Sequence, residues 1–272
     1  METLKLKVKG IDISGVKYTC SAPKAIVMVC HGLGEHTGRY DGFFKEMVFA
    51  GLSVYAPDFP GHGRSGGKRG STSIPVMVEV MASFLEFAKK ENPSVPFSLF
   101  GHSMGGLVAL RCLKKMQEEF SCAAVSAPLV AFKPDREKTI KNSLFLGSIL
   151  PFLAVDNGIV IDDLSRNHSI VAAYDKDPLV HRRVALSLAC SFYKEIQDTL
   201  GMELSLPLLI ASGTSDRVVP YEGVKDFYND IRSETKRFIP FEGAYHEIFY
   251  DPQHGDTFRK EIIQWLLTRS KS

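Results

Sequence analysis

The 272-residue sequence lacks any long hydrophobic run, any excess of one charge and any pattern of paired cysteines. A helix that spans a bilayer needs ~18 or more consecutive apolar residues. The longest uncharged, strongly apolar stretch, Asn142 to Val155, is shorter and is interrupted by Pro151, so no spanning helix is expected. Lysine plus arginine number 33 and aspartate plus glutamate 31, a formal net charge of +2. Dedicated nucleic-acid binders carry a clustered basic excess, so nucleic acid is not an expected partner, although a modest basic patch could still face a membrane. The five cysteines (Cys20, Cys30, Cys112, Cys122 and Cys190) are odd in number and never spaced C-x-x-C. They are read as reduced, small buried hydrophobes of a cytoplasmic protein, which excludes a disulfide framework and a zinc site. The first ten residues spread charges and hold no apolar h-region, so no secretory leader is expected. Internal repeats, low-complexity tracts, a Walker-type G-x-x-x-x-G-K-[ST] and H-E-x-x-H are all missing, and the expected cofactor and metal are none.

What is present is a βα rhythm in a chain of ordinary globular composition, 44% hydrophobic and 24% charged. Leu4–Lys9 and Asp12–Cys20 alternate apolar and polar residues around Gly10, the pattern of a half-exposed antiparallel hairpin. Ala25–Cys30 is continuously apolar and rich in β-branched residues, a strand buried on both faces. Further strands are expected at Leu52–Ala56, Phe97–Phe100, Cys122–Val125, Leu206–Ala211 and Arg237–Phe241, and helices at Tyr40–Phe49, Pro75–Lys89, Met104–Met116 and Phe258–Leu267. Strands alternating with helices imply a mostly parallel sheet covered on both sides. The rhythm breaks between Leu129 and His181, then resumes with Val184, Leu188, Phe192 and Ile196 at four-residue spacing. Residues 1–128 and 188–272 are therefore expected to form one α/β core, with 129–187 an inserted helical cap. The alternative is that the apolar stretch 142–155 is a buried helix of the main domain.

Phe97–Gly106 reads strand, G-x-S-x-G, helix. The motif alone is weak, since a chance match in a chain of this length is on the order of one in ten. Gly63-Arg64-Ser65-Gly66-Gly67 is a second match, but Ser65 lies in a glycine-rich loop with no helix beginning beside it. Ser103 has the strand before and the amphipathic helix after that a nucleophile elbow requires. A serine hydroxyl needs a base to take its proton, and in this architecture the partners follow in the order Ser, Asp, His. Of the downstream histidines, His168 and His181 fall in the cap and His254 in a helix-opening turn. His246 follows the strand Arg237–Phe241, at the strand end where sites of parallel sheets lie. Asp216, the only carboxylate in the loop after Leu206–Ala211, is expected to orient it. The oxyanion donors are expected to be the backbone N–H groups of Met104 and of Leu33, which sits between two glycines in His31–His36. Glu35, Asp58, His62 and Arg64 read as braces of glycine-rich loops, and His31 and His102 as structural supports.

The segments HGLGEHTGRY (His31–Tyr40), DFPGHGRSGG (Asp58–Gly67), GHSMGG (Gly101–Gly106), AYDKDPLVH (Ala173–His181), SGTSDRVVP (Ser212–Pro220) and YHEIFYDP (Tyr245–Pro252) together resemble the monoacylglycerol lipase family of α/β-hydrolases, across nearly the whole chain. The resemblance implies the α/β-hydrolase fold with a helical cap, a triad of Ser103, Asp216 and His246, an oxyanion hole of Leu33 and Met104, and Arg39 at the glycerol end of the substrate. The activity implied is cleavage of a monoacylglycerol to fatty acid and glycerol through an acyl-enzyme. Within the apolar cap, Phe145 and Ile149 are expected to contact the acyl chain, because each buried CH₂ contributes ~0.8 kcal/mol. The Leu144–Leu153 segment could also rest on a bilayer surface. Alternatives on the same scaffold are a lysophospholipase, for which Lys133, Arg136, Lys138 and Lys141 supply cations, a short-chain carboxylesterase or a peptidase. A non-catalytic receptor that keeps the fold is the alternative from another class.

Overall fold

The computed structural model describes residues 1–270. The alternating opening segment folds as the hairpin β1 (Glu2–Val8) and β2 (Ile11–Tyr18). Lys9 and Gly10 in its turn take φ of 50° and 79°, the paired positive values whose twist matches that of two antiparallel strands. There follow β3 (Ala25–Cys30), α1 (Asp41–Phe49), β4 (Leu52–Pro57), α2 (Ile74–Glu91), β5 (Phe97–His102), α3 (Met104–Met116) and β6 (Cys122–Ser126). The intervening region holds α4 (Pro134–Ile149), β7 (Ala154–Asp156), α5 (His168–Lys176), β8 (Arg183–Ala185) and α6 (Leu186–Thr199). The chain closes with β9 (Glu203–Leu204), β10 (Leu208–Gly213), α7 (Tyr221–Asp230), β11 (Arg232–Ser233), β12 (Lys236–Phe241) and α8 (Gly255–Arg269).

The central sheet has eight strands in the order β1-β2-β4-β3-β5-β6-β10-β12. Only the contacts β1–β2 and β2–β4 are antiparallel; from β4 onward all strands run parallel. Alternation along each strand feeds two cores. Ile26, Met28 and Cys30 join the side chains of α2, α3, α6 and α7, whereas Ala25, Val27 and Val29 join those of α1 and α8. That two-sided burial is why β3 carries no polar residue. Registry sets the site. Cys30 is level with Gly101, His102 with Ser126, and Gly213 with Phe241, so the loops that follow β3, β5, β10 and β12 leave one common rim. This is the α/β-hydrolase fold.

The chain leaves the sheet after β6 and rejoins it at β10. The expected cap boundary at residue 187 falls in the first turn of α6, a helix that serves both regions: Leu188, Phe192 and Ile196 pack in the core while Leu186 and Ala189 face the space under α4. The antiparallel ribbon β7–β8 was not anticipated. Each strand is three residues long, too short for a periodic signal, and the two come from distant points in the chain. In α4 only Gly147 is buried, and Phe145, Ile149 and Phe152 are 76%, 58% and 68% exposed. The stretch 142–155 is therefore not a buried helix of the main domain. Among the described residues no helix is long and apolar enough to cross a membrane, and all five cysteines are free thiols.

Candidate active site

Ser103 occupies the turn between β5 and α3 with φ 56° and ψ −122°. A non-glycine residue there stores on the order of 1–3 kcal/mol of strain, held in place by its surroundings. The Ser103 N–H donates to the Ser126 carbonyl at 3.0 Å. A Cβ on Gly101 would meet the Gly105 carbonyl, and one on Gly105 would meet the carbonyls of Cys30 and His31. The glycines of the motif are thus required by close backbone approach. The turn puts the hydroxyl at the N-terminus of α3, where the helix dipole favours negative charge.

The structure brings Ser103, His246 and Asp216 together. His246 Nε2 lies 2.8 Å from Ser103 Oγ and its Nδ1 lies 2.7 Å from Asp216 Oδ2. The carboxylate accepts the Nδ1–H, which leaves the Nε2 lone pair to accept the serine proton. The other carboxylate oxygen, Oδ1, accepts the N–H groups of Val218 (2.7 Å) and Val219 (3.0 Å), so Asp216 is fixed on both sides. Burial pushes the His246 imidazole toward the neutral form, yet attraction to Asp216, its hydrogen bond, and the nearby Glu247 and Glu35 together raise its pKa above the ordinary value. His102 packs against it with the rings tilted by 51°, centroids 4.8 Å apart. Burial, and then the neighbouring His246, push the His102 pKa down to about 3, so His102 is a neutral support.

The loop after β3 is pinned around Leu33. His31 donates from Nδ1 to Gly32 O at 2.8 Å and accepts from the Phe59 N–H at 2.9 Å through Nε2. Glu35 Oε1 accepts both the Gly32 N–H and the Tyr40 hydroxyl, each at 2.6 Å. Gly34, at φ 75°, accepts the His181 N–H at 2.9 Å. Among the described residues neither the Leu33 nor the Met104 N–H has a protein acceptor. Two free donors flanking a serine hydroxyl are the arrangement that stabilises a tetrahedral oxyanion. Asp58 accepts the Thr37 N–H and hydroxyl and the Arg64 N–H at 2.8–2.9 Å, and Ser65 bridges Asp58 O and the Ser14 N–H. Ser65 is therefore a structural turn residue.

Arg39 departs from its expected place at the substrate. It is buried, donates to Glu35, forms a bidentate pair with Glu247 (2.7 and 2.9 Å), and lies 4.6 Å from the centroid of the Tyr174 ring. It does not line the space beside Ser103. The guanidinium instead ties the Leu33 loop to the residue that follows His246. Glu247 was not singled out from sequence; nothing in its local pattern distinguishes it from a surface acid.

Ser103 opens into a cavity of about 390 Å³ between the core and α4. Leu33, Leu129, Phe132, Ile140, Val184, Leu186, Phe192, Val218 and Val219 make most of its wall. Phe145 and Ile149 are not part of it. Arg136, Thr139, Ile140 and Ser143 turn toward the cavity, and at 3.6 residues per turn Phe145 lies about 200° around the helix from Ser143. The helix turns Arg136, Thr139 and Ser143 inward beside Ile140 and carries Phe145 and Ile149 outward, opposite to the expectation for these two residues. The remaining histidines stand apart: His254 lies against Glu242 O, His181 packs on His62, and His168 opens α5. Among the described residues no cluster of metal-ligating side chains occurs.

Residues 21–253 match the sequence family described as serine aminopeptidase, S33. The chain is 31% identical to a monoacylglycerol lipase of Mycolicibacterium smegmatis, covering 90% of this chain and 89% of that one. It is 30% identical to phospholipase YtpA of Bacillus subtilis over 87% and 93% of the two chains. The crystal structure of the Paleococcus ferrophilus monoacylglycerol lipase superposes with a TM-score of 0.88 at 34% identity, covering 99% of this chain and 100% of that one. With this fold and this arrangement at the strand ends, the chain belongs to the monoacylglycerol lipase family of α/β-hydrolases and is a carboxylic ester hydrolase.

Proposed function

We infer that this protein hydrolyses monoacylglycerols to fatty acid and glycerol through an acyl-enzyme. Ser103 attacks the ester carbonyl as His246 takes its proton, and Asp216 stabilises the imidazolium. The Leu33 and Met104 N–H groups hold the tetrahedral oxyanion; loss of one such donor typically lowers the rate ~10²–10³-fold. His246 then protonates the leaving alcohol and activates the water that clears the acyl group. The observation that carries this reading is the bonded chain Ser103–His246–Asp216 at the wall of a mainly apolar cavity of about 390 Å³, near the lower end of ligand-pocket sizes.

The exposed apolar face of α4 and the turn after it (Phe145, Ile149 and Phe152), with Lys133, Lys138 and Lys141 on the same helix or its approach, supports a further role for this face in contact with a lipid surface. A second reading, cleavage of lysophospholipids, draws on Arg136 in the cavity wall and on the phospholipase relative. Steady-state hydrolysis of a monoacylglycerol, the matched lysophosphatidylcholine, a diacylglycerol and a short soluble ester separates the two, with Ser103→Ala as control. A tenfold lead of the monoacylglycerol in kcat/KM, about 1.4 kcal/mol of transition-state preference, is expected. A lead by the lysophospholipid would replace the substrate while leaving the chemistry in place.

A further inference from the structure

The cavity changes character toward the cap. Leu33, Leu129, Val218 and Val219 surround the Ser103 end, whereas α4 and the loop after β7 bring in Arg136 and Asn157. Arg136 donates to the Asn157 carbonyl and, among the described residues, forms no contact ion pair. Asp135 and Asp156 act on its charge from a distance. Asn157 is 7% exposed. Its Oδ1 accepts the Ile159 N–H at 3.0 Å, which fixes the amide, since turning it over would set N–H against N–H. Nδ2 is then a buried double donor without an acceptor. Such groups are normally satisfied. The two hydroxyls on the same wall are already engaged: Thr139 donates to Asp135 O at 3.0 Å and Ser143 to Thr139 O at 2.8 Å. The cap side of the cavity thus carries Arg136 and an Asn157 amide whose N–H donors, among the described residues, are reached by none of the acceptors on the same wall.

The missing acceptor is best matched by a neutral oxygen. Asp135 and Asp156 line the same wall and Arg182 pairs with Asp156, so with Arg136 the local formal charge is 2 − 2 = 0, and a carboxylate on the acyl chain would lose its hydration in a mainly apolar cavity with no net positive charge to offset the cost. We propose that Arg136 and Asn157 recognise a neutral oxygen (hydroxyl, keto or epoxide) carried on the acyl chain, so that the preferred substrate is an ester of an oxygenated fatty acid. This rests on the reading above that the acyl chain fills the cavity. A site built to hydrogen-bond an oxygen penalises the analogue that lacks it, because its own donors are then left unpaired.

The test measures kcat/KM of the full-length protein on glycerol monoesters of one chain length: plain, with a single hydroxyl walked along the distal half, and with a terminal carboxylate. At one hydroxyl position the ratio to the plain ester should reach about tenfold, and the carboxylate should fall below the plain ester. Arg136→Met and Asn157→Asp should each bring the hydroxyl-to-plain ratio to one or below. The aspartate keeps the acceptor for the Ile159 N–H while removing the free donors, so the loop is retained. A ratio that never exceeds one in the wild type, or that survives both substitutions, would overturn the proposal. Absence of turnover on the plain and hydroxylated esters alike would overturn the ester-hydrolase reading and this proposal with it; turnover of the plain ester in the wild type tells the two failures apart.

Discussion

Ser103 pays for its position in backbone strain. Its φ of 56° and ψ of −122° suit glycine better than any residue with a Cβ. Ser103→Gly should therefore raise stability by about 1 kcal/mol while abolishing turnover, and thermal unfolding beside an activity assay reads both. A melting temperature below that of the wild type would mean that the Oγ bond to His246 outweighs the strain. His246 carries a second prediction. The base must be neutral to accept the serine proton, so its raised pKa sets the acid limb of kcat/KM at a higher pH than an ordinary histidine would. Burial alone would lower that pKa; Asp216, then Glu247 and Glu35, raise it. In Glu247→Gln the acid limb should move to lower pH, because one neighbouring negative charge is gone while an amide still bonds to Arg39. An unmoved limb in the pH–rate profile would leave the raised pKa to Asp216 and Glu35. At this scale the residues in strand-end loops were legible. Ser103 and Asp216 each follow a strand buried throughout, His246 follows the edge strand β12, and sheet order brings such loops together. Arg39 and Glu247 were not legible, because their pairing spans 208 residues of sequence and neither leaves a local trace.

Core helices and strands were readable because their burial repeats with the period of the element. α2 buries Met77, Val80, Met81, Phe84, Leu85 and Ala88 along one face, and β10 is buried throughout. The cap elements obey another logic. α4 buries only Gly147, where a Cβ would press on the Cys190 sulfur, so its fit to α6 depends on a residue without a side chain. A helix with so little buried surface should open locally well before the core unfolds. Limited trypsin digestion under native conditions is expected to cut first at Lys138 or Lys141, ahead of any site in α2 or α3. Initial cleavage within the core helices would contradict that ordering.

Among the described residues, exposed large apolar side chains cluster on and just after α4, with Phe145, Ile149 and Phe152 prominent among them, while the formal net charge is only +2. Docking of this face on lipid would then draw more on burial of apolar side chains than on attraction to anionic headgroups. The triple variant Phe145→Ser, Ile149→Ser, Phe152→Ser should lose about tenfold or more of its activity on substrate in vesicles, and much less on a short soluble ester. Equal losses on both would place the three side chains in the catalytic path instead of at a surface.

The sequence by itself determined the α/β-hydrolase core, the strand ends that carry Ser103, Asp216 and His246, and the family. Each of these is written in local periodicity or in short contiguous motifs. The tertiary structure alone decided which face of α4 meets the cavity, where Arg39 directs its guanidinium, and that β7 pairs with β8. The physical reason is common to all three. A helix that mixes polar and apolar residues around its circumference does not specify which side turns inward, a buried cation is placed by the carboxylates that surround it, and a three-residue strand exists only through its partner. Those partners come from distant parts of the chain, and only the fold brings them into contact.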